Sequence, residues 1–174
     1  LKVWDYRRKV CEVSRKFREP PTSVALHPSG LYVLVVFPSQ AKLLALLEDE
    51  AADVAEVEAL GTSHVSFARG GHFFCLVNNS VVTVYDTFSC EKRYMLRAAS
   101  RVATVIWKKG DRQIATVGRD GSCATWDLAT ESRAEEAEGA PKAPFYDGAA
   151  SSDLKRVFCA CEDDTIREFG PKAV

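Results

Sequence analysis

The chain has 174 residues, 23 of them Lys or Arg and 24 Asp or Glu, and 47% of its side chains are hydrophobic. That balance supports a sizeable buried core and singles out neither nucleic acid nor an anionic membrane as a partner. No apolar run reaches the length of a membrane-spanning helix. The cysteines Cys11, Cys75, Cys90, Cys123, Cys159 and Cys161 are irregularly spaced and mostly lie in apolar strands, as free thiols do in a reducing compartment.

Leu1 to Asp5 reads as a strand ending in Trp4-Asp5, and Lys9 to Phe17 as the outer strand beside it. The N-terminus is neither an initiator Met nor a signal peptide and already sits inside a repeat, so further sequence is expected upstream. Three short strands then lead into turns: Val24-Ala25-Leu26 into His27-Pro28-Ser29-Gly30, Val65-Ser66-Phe67 into Ala68-Arg69-Gly70-Gly71, and Val105-Ile106-Trp107 into Lys108-Lys109-Gly110-Asp111. A fourth, weaker copy surrounds Pro144-Phe145-Tyr146-Asp147-Gly148. In a second phase Trp4, Leu46, Tyr85, Trp126 and Phe169 each close a strand, and both phases step by roughly forty residues, the period of a β-propeller blade. The fold class is therefore all-β, a partial propeller of about four blades with four antiparallel strands per blade, the anchor closing the third. Partial units at 1–17 and 142–170 flank whole units at 21–60, 62–97 and 100–138.

Turn residues support this register. Arg119-Asp120-Gly121, Asn78-Asn79 and Glu162-Asp163-Asp164 occupy the joints between second and third strands, and such residues tolerate the positive φ of tight hairpins. Two segments pull the other way. Residues 42–60 and 129–139 are rich in Ala, Leu and Glu, which favour helix; the repeat demands strands at 42–47 and roughly 54–60, while the second segment is open between a helix and a frayed outer strand or loop.

No catalytic constellation emerges. His27, His64 and His72 fall in different positions of different units, without Cys or carboxylates at ligand spacing, and read as turn and surface histidines. There is no nucleophile elbow, the acidic pairs read as solvated turns, and the glycines mark hairpins in place of a phosphate cradle. The expectation is no enzyme activity, no metal and no cofactor. Arg7-Arg8-Lys9 and Lys108-Lys109 are short basic turns without an aromatic ladder for bases, although local charge of this kind is enough to attract the acidic surface of a microtubule.

At Trp126-Asp127, preceded by Arg119-Asp120-Gly121, the chain resembles a WD40 repeat. The resemblance implies a buried hydrogen-bond set, for which Trp126, Thr116 and Asp120 supply three members. The fourth, a His before the first strand, is missing from Arg97-Ala98-Ala99-Ser100-Arg101. It also implies an interaction face built from Asn78, Arg119 and Asp163 before the tight turns and Ser23, His64 and Arg101 at the start of the first strands. Arg101 and Arg119 lead, because Arg is enriched in hot spots. The runs Val24 to Gly30, Phe67 to Phe74 and Val77 to Tyr85 further resemble the cilia- and flagella-associated WD-repeat family of the axoneme, collinearly over nearly the whole chain. That resemblance implies a non-catalytic scaffold, cytoplasmic and ciliary, supporting inner dynein arms on doublet microtubules, within a longer protein of two propellers and a coiled coil. Its implied partners are proteins: the remaining propeller sequence, axonemal or dynein-associated proteins, and tubulin, with no nucleic acid and no membrane. The alternative reading is a general cytosolic WD40 adaptor presenting a peptide-binding face in a ubiquitin-ligase or trafficking complex.

Overall fold

The computed structural model describes residues 1–136 and 143–170. Strands β1 (Lys2–Asp5) and β2 (Val10–Ser14) form a two-stranded hairpin, blade 1. Blade 2 comprises β3 (Ser23–Leu26), β4 (Tyr32–Val36), β5 (Gln40–Leu46) and β6 (Ala51–Glu58), and blade 3 comprises β7 (His64–Phe67), β8 (Phe73–Asn78), β9 (Val81–Asp86) and β10 (Lys92–Arg97). Blade 4 holds β11 (Val102–Trp107), β12 (Gln113–Gly118), β13 (Cys123–Asp127) and β14 (Ser132–Glu136), and blade 5 holds β15 (Phe145–Ala150), β16 (Val157–Cys161) and β17 (Ile166–Phe169). One turn of 3-10 helix occupies Lys109–Asp111, and the described residues contain no α-helix. Strands pair antiparallel with their sequence neighbours, and β3, β7, β11 and β15 lie against one another in succession, so the sheets fan out around a common axis.

Successive side chains of a strand point to opposite faces, and here both faces are covered. In blade 2, Val33, Val35 and Leu44 pack toward blade 1, while Leu34, Val36 and Leu43 pack with Phe67, Phe74 and Tyr85 of blade 3. In blade 3, Cys75, Val77 and Val84 join Trp107, Ile114 and Trp126 of blade 4. Ala115, Val117 and Cys123 then join Phe145, Val157 and Cys159 of blade 5. Two-sided burial explains the unbroken apolar runs of β4 and β8. It also explains why 42–60 is not helical: Leu43 and Leu44 must both be buried, one on each side of a sheet, whereas a helix of this sequence would bury a single stripe. Residues 132–136 of the second ambiguous segment form β14, paired through Trp126 and Arg133; 137–139 lie outside the described residues.

The Asp that follows Trp4, Tyr85 and Trp126 holds the turn after it. Asp5 Oδ1 accepts from the Arg7 and Arg8 N–H groups at 2.8 and 3.0 Å, Asp86 Oδ1 from Phe88 and Ser89 at 3.1 and 3.0 Å, and Asp127 Oδ1 from Ala129 and Thr130 at 2.9 and 3.3 Å. Four residues after each Asp the chain takes a positive φ, at Lys9 (57°), Cys90 (55°) and Glu131 (51°).

This register corrects one anchor. Tyr85 faces Phe74, Trp126 faces Ile114 and Phe169 faces Val157, and the residue in that place in blade 2 is Leu44, opposite Val33. Leu46 lies two residues further on and only half-buried. A slip of two keeps a residue on the same face, and blade 2 has Ala45 where blades 1, 3 and 4 place Asp5, Asp86 and Asp127, so the pattern carried no marker of the slip.

Candidate functional site

The rim around the starts of the first strands gathers most of the candidate residues. Pairing partners fix which positions are equivalent. Ser23 opposes Val36, His64 opposes Val77, Thr104 opposes Val117 and Asp147 opposes Ala160. Ser23, His64, Thr104 and Asp147 therefore stand in one layer along the axis. The His64 Nε2 and Thr104 Oγ1 atoms are 3.3 Å apart, joining blades 3 and 4. Burial lowers the pKa of His64, opposed by the carboxylate of Asp147. Arg101 is not in this layer. Val102 and Thr104 flank an irregularity in β11, which displaces Arg101 outward, where its carbonyl accepts the Arg119 N–H at 2.8 Å.

In blade 4 the Trp126 Nε1–H donates to Thr116 Oγ1 at 2.8 Å, and the Thr116 hydroxyl donates on to the Ala124 carbonyl at 3.4 Å. Asp120 Oδ1 accepts from the Ser122 N–H at 3.0 Å and from the Ser122 hydroxyl at 2.6 Å. The Ser100 hydroxyl is buried without a full hydrogen bond, in the loop where the resemblance implies a His. Desolvation works to raise the Asp120 pKa, but the Ser122 and neighbouring Ser100 hydroxyls outweigh it and hold the carboxyl below its ordinary range. Gly118 leaves the room that these side chains take at a crowded turn. A Cβ there would come within 2.5 Å of Asp120 Oδ1 and Ser122 Oγ, and 2.7 Å of Ser100 Oγ.

Asp163 is the counterpart of Asp120 and not of Arg119. The Gly118 N–H reaches the Ser122 carbonyl as the Cys161 N–H reaches that of Thr165, so 163 falls where 120 does. Its carboxylate takes the Thr165 hydroxyl at 2.5 Å and pairs with the Arg167 guanidinium. Those bonds, the Thr165 hydroxyl foremost, depress its pKa. Asn78 is likewise occupied, its Nδ2 donating to the Leu60 carbonyl at 2.8 Å. Arg119 and Arg101 are exposed and form no ion pair among the described residues.

Tyr146, which sequence reasoning passed over, belongs to the same rim. It is 54% exposed, and partial desolvation followed by the Glu162 carboxylate push its phenol pKa up against the opposing charge of Arg119. Thr104 and Asp147 were also missed. Counting back three residues from the end of each first strand, in place of forward from the loop, would have found these two.

His27 corrects the surface reading of the histidines. It is only 7% exposed and locks blade 2 to blade 3. Its Nε2 donates to the Gly71 carbonyl at 3.0 Å, and its Nδ1 accepts from the Ser29 N–H at 3.1 Å with the Ser29 hydroxyl at 2.7 Å. The rings of Tyr32 and Phe67 meet it edge-on at 5.7 and 5.1 Å. The next seam repeats the device with other atoms: Asp111 accepts the Arg69 and Gly70 N–H groups at 3.1 and 2.6 Å. Among the described residues, no three His, Cys, Asp or Glu side chains converge as a metal site.

Consecutive four-stranded meanders around one axis, with an Asp-braced hairpin after a buried aromatic, define a WD40-type β-propeller, of which the described residues form part. Two solved structures under 25% identical share the fold. Hydrazine synthase of Kuenenia stuttgartiensis superposes with a TM-score of 0.78 at 14% identity, over 92% of this chain and 49% of that one. Chaetomium thermophilum Sqt1, bound to the N-terminus of ribosomal protein L10, gives 0.72 at 20% identity, over 85% and 42%. No protein-family model matches the sequence. Over its full length the chain is similar to Cilia- and flagella-associated protein 57 of Mus musculus, at 30% identity over 176 residues. It is also similar to Cilia- and flagella-associated protein 57 A of Tetrahymena thermophila, at 29% identity over 72% of its length. The chain spans 14% and 10% of those two relatives.

Proposed function

We propose that the protein is a non-catalytic scaffold of the ciliary axoneme that helps hold inner dynein arms on doublet microtubules, with Arg101, Arg119 and Tyr146 as its contact rim. The observation that carries this reading is the full-length similarity to a mouse cilia- and flagella-associated protein. The rim supports it: Arg101 and Arg119, exposed and without an ion pair among the described residues, and the exposed Tyr146 phenol, on which the Arg119 charge acts, suit a hot spot, while Asp120, Asp163 and Asn78 are occupied in holding their own turns. Ser23 and His64 lie deeper, along the axis, and are half-buried.

Further propeller sequence is the first partner this reading names. Val24 and Leu26 of β3 are 54% and 60% exposed, although their counterparts Val65, Phe67, Val105 and Trp107 are buried against a preceding four-stranded blade. Dynein-associated proteins and tubulin are the others. The test is fractionation of demembranated cilia carrying the tagged protein. Retention in the salt-washed axoneme is expected, and Arg101→Glu with Arg119→Glu should release the protein while leaving its circular dichroism unchanged. A wild-type protein found wholly in the detergent-soluble fraction overturns the reading.

A further inference from the structure

Charge along this nearly neutral chain is segregated. Blade 1 and its exit carry Lys2, Arg7, Arg8, Lys9, Arg15, Lys16 and Arg18 against only Asp5 and Glu12, whereas the outer hairpin of blade 2 carries Glu48, Asp49, Glu50, Asp53, Glu56 and Glu58. Where the two meet lies a cleft of about 330 Å³. Arg15, Lys16, Arg18 and Lys42 line it, and Glu19 is its one carboxylate. Its apolar wall is Phe17 packed edge-on to Phe37 with ring centroids 5.1 Å apart. The Arg15 guanidinium lies 5.2 Å from the centroid of the Phe17 ring.

The cations divide into two pairs. Arg15 and Lys42 are largely covered and already hold carboxylates of this chain, Asp53 at 2.7 Å and Glu56 at 3.2 Å. Lys16 and Arg18 are exposed, line the same cleft and make no ion pair among the described residues. We infer that the cleft docks an acidic peptide segment of a partner protein, whose Asp or Glu side chains are taken by Lys16 and Arg18 while an apolar neighbour rests on Phe17 and Phe37. The inference names a partner class for the scaffold reading and rests on it.

Charge complementarity selects a short carboxylate-bearing ligand over a long polyanion. A nucleic-acid strand or an anionic membrane leaving the cleft runs onto the acidic hairpin of blade 2, and like charges at close range repel. A peptide places carboxylates only where the cations are.

Fluorescence anisotropy with a labelled oligoglutamate peptide, at low ionic strength and then with added salt, tests the site. Saturable binding that weakens as salt shortens the Debye length is expected. Lys16→Glu with Arg18→Glu should raise Kd by about tenfold or more, since two attractive pairs become repulsive. Arg7→Glu with Arg8→Glu makes the same change in net charge at the opposite end of the hairpin and should leave Kd within about twofold. No binding by the folded protein, equal weakening by both double variants, or tighter capture of a single-stranded oligonucleotide than of oligoglutamate each overturns the proposal. Loss of peptide binding with axonemal retention intact removes the cleft alone, whereas a soluble protein that still binds the peptide removes the scaffold reading alone.

Discussion

The seam between blades 2 and 3 turns on the fit of one imidazole against one glycine, and a double-mutant cycle can weigh it. His27→Ala removes the donor to the Gly71 carbonyl, and leaving a buried acceptor unpaired costs about 1–3 kcal/mol. It also removes two edge-on ring contacts, each contributing roughly 0.5–1.5 kcal/mol beyond area. The single substitution should therefore destabilise by about 3 kcal/mol in urea unfolding, with the midpoint shifted and the slope unchanged. Gly71→Ala attacks the same contact from the other side. At φ 76° the added Cβ would lie 2.2 Å from His27 Nε2, an overlap only displacement of the ring can relieve. The left-handed backbone adds about 1–2 kcal/mol for any L side chain. In the double variant the clash is gone, because the ring is gone. The combined loss should fall short of the sum by about 1 kcal/mol or more, as expected for residues in contact. Additivity within about 0.5 kcal/mol would refute the claim that His27 and Gly71 form one latch.

Trp126→Ala should cost about 3–5 kcal/mol as an aromatic truncation in a core; a loss below about 1 kcal/mol would show that its bond to Thr116 is ornamental. His64 has its pKa lowered from 6.5, so below that pH the unfolded chain takes up a proton before the folded one does. Stability should then fall as pH drops through the range beneath 6.5 and be less pH-dependent in His64→Gln, as read by urea midpoints; an identical slope in the variant would contradict the burial argument. Burial pushes the Cys75 thiol pKa up to about 12, so Cys75 should resist iodoacetamide in the native protein at mildly alkaline pH and react only after denaturation, checked by peptide mass mapping.

The repeat was legible in the sequence because each blade buries both faces of its central strands, and an unbroken apolar run punctuated by Asp or Gly turns is visible without coordinates. Register was less legible. Alternation has period two, so Leu44 and Leu46 satisfy it equally, and only the hydrogen-bonded partner of each distinguishes them. A one-residue slip set Asp163 beside Arg119 when its true counterpart is Asp120: it falls in a turn of three acidic residues, where strand alternation gives no guide. The latches were invisible for another reason: His27 and Gly71 are 44 residues apart, and neither carries any local mark of the other. These displacements reshape the candidate face. Asp120 Oδ1 and both oxygens of Asp163 are engaged within their own hairpins, so these carboxylates brace the frame. Recognition then falls to exposed side chains: Arg119 and Arg101, without an ion pair among the described residues, with Tyr146 at the rim, and Lys16 with Arg18, likewise without one, at the cleft. The two regions predict separable phenotypes: charge reversal at the rim should release the protein from the salt-washed axoneme, and reversal at the cleft should weaken oligoglutamate binding about tenfold or more, each without loss of fold.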